Sequence, residues 1–126
     1  MAAPVMTFNA AGDIRASASL AANTSASYSV DYSTKLEGQI TVKNTPGSSV
    51  AATRGLRCEF FPRYGTGPTD TTIAPMAIDL PSQTASVAES RTFFLPTGKW
   101  AVKVTNLDVT NAITVEISSA TIDSLT

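Results

Sequence analysis

The chain has no histidine and a single cysteine among its 126 residues. Without histidine, the commonest general base at neutral pH is missing, and neither a Ser-His-Asp nor a Cys-His arrangement can be built. A zinc site draws several Cys or His ligands, which one cysteine cannot supply. Cys58 has no partner for an intramolecular disulfide, so the fold does not lean on an oxidising compartment. Charge is also scarce: nine Lys and Arg stand against ten Asp and Glu, a net of −1. That balance gives no long-range pull toward nucleic acid or an anionic membrane. No run approaches the roughly 20 apolar residues of a membrane span. Met1-Ala2-Ala3-Pro4-Val5 carries no basic residue and the first charge is Asp13, so no signal peptide is read here and synthesis in a cytoplasm is expected.

Large apolar side chains are few. Val, Ile, Leu and Phe together number 28, whereas Ala, Ser and Thr number 50. The larger set stands just above the level of about 20% where disorder sets in. Near-neutral charge opposes disorder, because an unfolded chain usually needs net charge as well as weak hydrophobicity. A thin core with Ser and Thr on the solvent faces is the expected outcome.

What the chain does have is alternation. In Lys99-Trp100-Ala101-Val102-Lys103-Val104-Thr105, the residues Trp100, Val102 and Val104 share one face. Ile113, Val115 and Ile117 do the same in Ala112-Ile113-Thr114-Val115-Glu116-Ile117-Ser118. Period two is the signature of half-buried strands, and the short Asn106–Asn111 connection predicts that these two form an antiparallel hairpin. Further strands are predicted over 14–20, 27–32 with Tyr28, Val30 and Tyr32 on one face, and 37–44 with Ile40 and Val42 inward. Others follow over 56–61, around Met76, Ile78 and Leu80, and over 89–95. Asn44-Thr45-Pro46-Gly47-Ser48 reads as a turn, and Pro62 as a strand end or an edge. No apolar stripe of helical period appears. Seven or eight short strands imply an all-β protein, a single antiparallel β-sandwich of Ig-like or jelly-roll-like form. Residues 1–13, with Met6 and Phe8 as anchors, read as a flexible N-terminal arm or edge segment, and residues 14–126 as the sandwich domain.

No cofactor, metal or catalytic set is expected. Asp31, Glu37, Glu59 and Glu116 lie singly on strand faces and read as solvated charges rather than a paired acid and base. The loops at Asp70 and Asp108 lack the clustered acidic spacing of a calcium cage. Asn23-Thr24-Ser25 fits the glycosylation pattern but, with synthesis in a cytoplasm expected, is read as a chance match. Cys58 falls on an inward face and reads as a small buried hydrophobe. Arg54, Arg57 and Arg63 form the one local cluster of like charge, either guarding an edge strand or meeting an acidic partner surface. Phe60-Phe61 and Phe93-Phe94 place an aromatic on each face of a strand, so one of each pair belongs to the core and the other lies under a loop, at an edge or in an interface, which makes Phe61 and Phe94 interface candidates. Tyr64, in a Gly-rich loop, is placed to stack on a sugar ring. The candidate partner surface is therefore Phe8, Arg54, Arg57, Phe61, Arg63, Tyr64 and Phe94.

The run Glu89-Ser90-Arg91-Thr92-Phe93-Phe94-Leu95-Pro96-Thr97-Gly98-Lys99-Trp100 leads into Val102-Lys103-Val104-Thr105-Asn106-Leu107-Asp108. Together with Gly38-Gln39-Ile40-Thr41-Val42-Lys43-Asn44-Thr45, it resembles small virion proteins of tailed bacteriophages. The resemblance implies a non-enzymatic structural protein of the virion, a capsid decoration or cement protein that braces the major capsid protein, acting as a homo-oligomer such as a trimer. No position-specific role comes with it. Alternatives are a tail or neck component and, in a different class, a carbohydrate-binding or adhesin module. None of these readings involves nucleic acid or a membrane.

Overall fold

Alternation of small polar and β-branched residues produces nine strands among the described residues. The computed structural model describes residues 5–47, 55–63, 76–80 and 85–123. The strands are β1 (Met6–Phe8), β2 (Arg15–Leu20), β3 (Ser25–Asp31), β4 (Lys35–Pro46), β5 (Leu56–Arg63), β6 (Met76–Leu80), β7 (Glu89–Pro96), β8 (Lys99–Asn106) and β9 (Ile113–Asp123). One sheet runs β1-β9-β4-β7, with β2 sharing the β1 side of β9, and the second runs β3-β8-β5-β6. All pairings are antiparallel. The protein is thus an all-β sandwich of two antiparallel sheets.

The inward rows interlock as the alternation predicts. Ile40, Val42, Ile113, Val115 and Ile117 of one sheet and Cys58, Phe60, Val102 and Val104 of the other are at most 1% exposed. Each such Val, Ile or Phe contributes about 2 kcal/mol on leaving water. Phe60 and Phe93 bridge the two sheets, their ring centroids 4.9 Å apart at 52°, a tilted geometry favoured by the ring quadrupoles. Trp100 is only half-buried, and its indole Nε1 donates to the carbonyl of Pro96.

The expected hairpin of the last third does not form. β8 and β9 lie in opposite sheets, and their inward faces meet across the core instead of side by side. The connection is a polar corner. Asn106, fully buried, donates from Nδ2 toward the carbonyls of Leu20, Ala21 and Asn111, and its Oδ1 accepts from the Asp108 amide. The Asp108 Oδ1 in turn accepts from the Thr110 and Asn111 amides. These bonds satisfy backbone groups where the chain passes from one sheet to the other.

One smaller expectation also changes, and another is met in its second form. The strand over 37–44 continues to Pro46, because Asn44, Thr45 and Pro46 still pair with Val115, Thr114 and Ile113; ladder pairing overrides the local turn signal. Pro62 lies one residue inside the end of β5, opposite Trp100 and beyond the last β6 rung at Phe60, the edge position that was its alternative.

Candidate binding face

Register fixes which side chains share the outer face of the five-stranded sheet. Phe8 lies opposite Ala120, Ala120 opposite Gln39, and Gln39 opposite Phe94. Directly paired residues point to the same side, so these four form one row across the sheet. The neighbouring row is Met6, Ile122, Glu37 and Pro96. Phe93 takes the core position at 5% exposure, which turns Phe94 outward at 57%. Phe8 is 73% exposed at the opposite edge. Three strand spacings separate them, about 14 Å. Between them Ala120 is covered and Gln39 half-buried, a flat floor carrying one amide.

The rest of that face is polar. Beyond the aromatic row come Ser118, Thr41 and Thr92, then Glu116, Lys43 and Ser90, with the Thr41 and Thr92 hydroxyls 2.9 Å apart. Apolar groups are therefore gathered at one end of the sheet. That end is held rigidly. Lys35 Nζ lies 2.8 Å from Asp123 Oδ1, and the Thr7 hydroxyl donates to Asp123 Oδ2, holding the Asp123 carboxyl below its usual range, chiefly through the Lys35 contact. Asp13 accepts from the Ser119 amide and hydroxyl, and Asn9 donates to the same hydroxyl, tying the segment between β1 and β2 to β9.

The other candidate residues are scattered. Arg57 forms a two-pronged contact with Asp79 at 2.8 and 3.2 Å, which holds its guanidinium above its ordinary pKa. It lies on β5 between β8 and β6, so Arg57 itself does not guard an edge. Phe61 does point to the far side of its sheet from the core, beside buried Ala101, but it is 1% exposed, so it is a covered aromatic and not an exposed interface residue. Its apolar surface is already withdrawn from water within the chain, the state that a partner would otherwise supply. Arg63 closes β5 in register with Lys99. Arg54, Tyr64 and Asp70 lie outside the described residues. Phe8 and Phe94 are thus the two candidates brought to a common face, on a floor of Ala120 and Gln39 that the sequence reading did not single out. The alternation of Ala120 and Ile122 past Ser118 was the available signal.

Burial dominates the titrating groups of the interior. Cys58 is fully buried and desolvation pushes its thiol up to about 12. The Tyr32 phenol is likewise held at about 12, first by desolvation, with the nearby Ser119 hydroxyl pulling the other way. That hydroxyl is already engaged by Asp13 and Asn9, and the Tyr32 oxygen ends with no hydrogen-bond partner. Among the described residues no group of three or more His, Cys, Asp or Glu side chains could hold a metal ion.

No protein-family model and no curated protein matches the sequence. Solved structures do match in fold. A CBM4 module superposes with a TM-score of 0.59 at 8% identity, covering 94% of this chain and 78% of that one. The enzymatically active domain of tailspike protein 4 from bacteriophage CBA120 matches at 0.55 and 10% identity, over 94% of this chain and 18% of that chain. The K3 cleaved adhesin domain of Lys-gingipain from Porphyromonas gingivalis matches at 0.53 and 14% identity, over 82% and 72%. The chain shares the β-sandwich fold of these proteins.

Proposed function

We propose that this chain is a non-catalytic binding module that takes a carbohydrate chain along the outer face of its five-stranded sheet. One observation carries the reading: two exposed aromatics, Phe8 and Phe94, stand on a single register row at opposite edges of a flat floor. The apolar faces of sugar rings stack on such phenyl groups, while ring hydroxyls need amide, carboxylate and hydroxyl partners. Gln39, Glu37 and the Thr41–Thr92 pair lie in the same or adjoining rows. A few polar groups set among aromatics are the usual make-up of a small-molecule site. The fold likeness to carbohydrate-binding and adhesin domains supports this ligand class, and the absence of histidine fits a role without catalysis.

Affinity electrophoresis against a panel of soluble polysaccharides tests it. The wild type is retarded by at least one, and Phe8→Ala and Phe94→Ala each weaken that binding about tenfold, close to 1.4 kcal/mol. No retardation by any polysaccharide, or retardation that both variants retain, contradicts the reading.

A second reading, a virion protein of the capsid decoration type with a tail or neck placement as its variant, is favoured by the apolar character of the β1 edge. Val5, Met6 and Phe8 are all exposed there, and clustered apolar surface suits a protein partner such as the major capsid protein. Selective binding to an assembled lattice would stabilise it without chemistry. Quantitative mass spectrometry of purified particles separates the readings. Hundreds of copies per particle speak for the head, a few dozen or fewer for the tail or neck, and absence removes the virion role.

A further inference from the structure

Every open sheet has edges, and natural sheets guard them with short strands, bulges, charges or proline. Three sides of this sandwich are guarded in that way. The side shared by β1 and β2 combines a three-residue strand with a register shift between Arg15 and Ala18. β7 carries Glu89, Arg91 and a terminal Pro96. β6 is five residues long and bears Asp79. β3 differs from all of them. It pairs with β8 through seven unbroken rungs, Ser25 to Asp31, without bulge or proline. Its one charge, Asp31, stands at the end, tied to the Ser33 amide and hydroxyl. Among the described residues nothing pairs with its other side, and Ser25, Ser27 and Ser29 are exposed.

We propose that β3 is the seam of a symmetric dimer, pairing antiparallel with β3 of a second copy to make one eight-stranded sheet. The strand's sequence favours a copy of itself as the occupant. A two-fold axis through Tyr28 sets Ser27 opposite Ser29, Ala26 opposite Val30, and Ser25 opposite Asp31. Hydroxyls meet hydroxyls, small apolar groups meet each other, and no like charges face across the seam, an arrangement that antiparallel cross-strand pairing rewards. Such an isologous contact closes on itself and stops at two copies. Tyr28 is prepared for the central position. Its ring is half-buried, and its hydroxyl accepts from Arg15 Nη1 at 2.6 Å. Arg15 is itself anchored on the carbonyls of Val115, Ala18 and Ser19. Two such rings, fixed about 5 Å apart at their Cβ atoms, would cover each other on the core side of the joined sheet.

This pairing is independent of any ligand on the outer face of the other sheet. The test is light scattering on the full chain beside Ser27→Lys/Ser29→Lys, which sets lysines against lysines at the seam while leaving them solvated in a monomer. The wild type is expected at twice its 13.1 kDa mass and the double variant at 13.1 kDa, with the β-sheet circular dichroism spectrum retained and a thermal transition that no longer rises with concentration. A wild type that stays monomeric at all concentrations, or an assembly that survives the double substitution, overturns the proposal. Hydrogen exchange on the wild type gives a second measure that needs no variant. Amides of β3 gain protection as concentration rises, whereas a gain confined to β7 or to no strand overturns the proposal.

Discussion

Gly38 shows how narrow the tolerances of this thin core are. A Cβ placed there would sit 2.0 Å from two atoms of the Tyr32 ring, and Tyr32 is only 4% exposed. The Tyr32 backbone is fixed as well, since its amide donates to Gly98 O and the Gly98 amide returns a bond to Tyr32 O. Gly38→Ala is therefore expected to lower stability by about 3 kcal/mol or more, at or beyond the upper end for overpacking, measured by urea unfolding. Cys58 and Tyr32 set an alkaline limit. Each holds its proton to about 12 in the native state, against ordinary values of 9.0 and 10.0. Between those values and 12 the unfolded chain binds fewer protons than the native one, so stability is fully present below pH 9 and falls as pH rises toward 12. The urea midpoint should drop through that range, and Cys58→Ala should flatten the early part of the fall. A midpoint constant from pH 8 to 11 would refute the assignment.

At the scale of elements, the corner at Asn106 is where the topology departs from a simple hairpin. Period-two alternation says that Val102 and Val104, like Ile113 and Val115, face a core. It does not say whether two such strands lie side by side in one sheet or face each other in two, because both arrangements bury the same residues. In the folded chain the connection between the two sheets is held by one buried amide that bonds three carbonyls and one amide group, a tertiary feature with no local sequence signature. Asn106→Ala would leave those groups unsatisfied in the interior, and at 1–3 kcal/mol for a lone buried polar group a loss of about 3 kcal/mol or more is expected in denaturant unfolding. A loss below about 1 kcal/mol would mean that the corner is incidental. Strand positions were legible for the complementary reason. Inward Ile40, Val42, Phe60 and Ile117 announce themselves by spacing alone, whereas β1, three residues long, acquires its identity only from pairing with Ala120, Thr121 and Ile122.

For the whole molecule, the same logic explains how much of the candidate site could be read in advance. Phe94 was legible as the odd member of a Phe-Phe pair, since one strand cannot bury both faces in one core. Phe61 obeyed the same rule yet ended covered at 1%, because burial on the outer side of a sheet depends on what the rest of the chain lays over it. The alignment of Phe8 with Phe94 required the β1, β9, β4 and β7 registers together, and no single stretch of sequence encodes it. The account of the molecule as a binding module rests on that alignment. Titrating oligosaccharide fragments of the polysaccharide that retards the protein, while following its backbone amides by NMR, tests it most directly. The predicted result is a set of perturbed amides centred on Phe8, Gln39, Phe94 and Ala120, with the four-stranded sheet unmoved. Perturbations confined to β3, β5, β6 or β8, or none at saturating sugar, would contradict it.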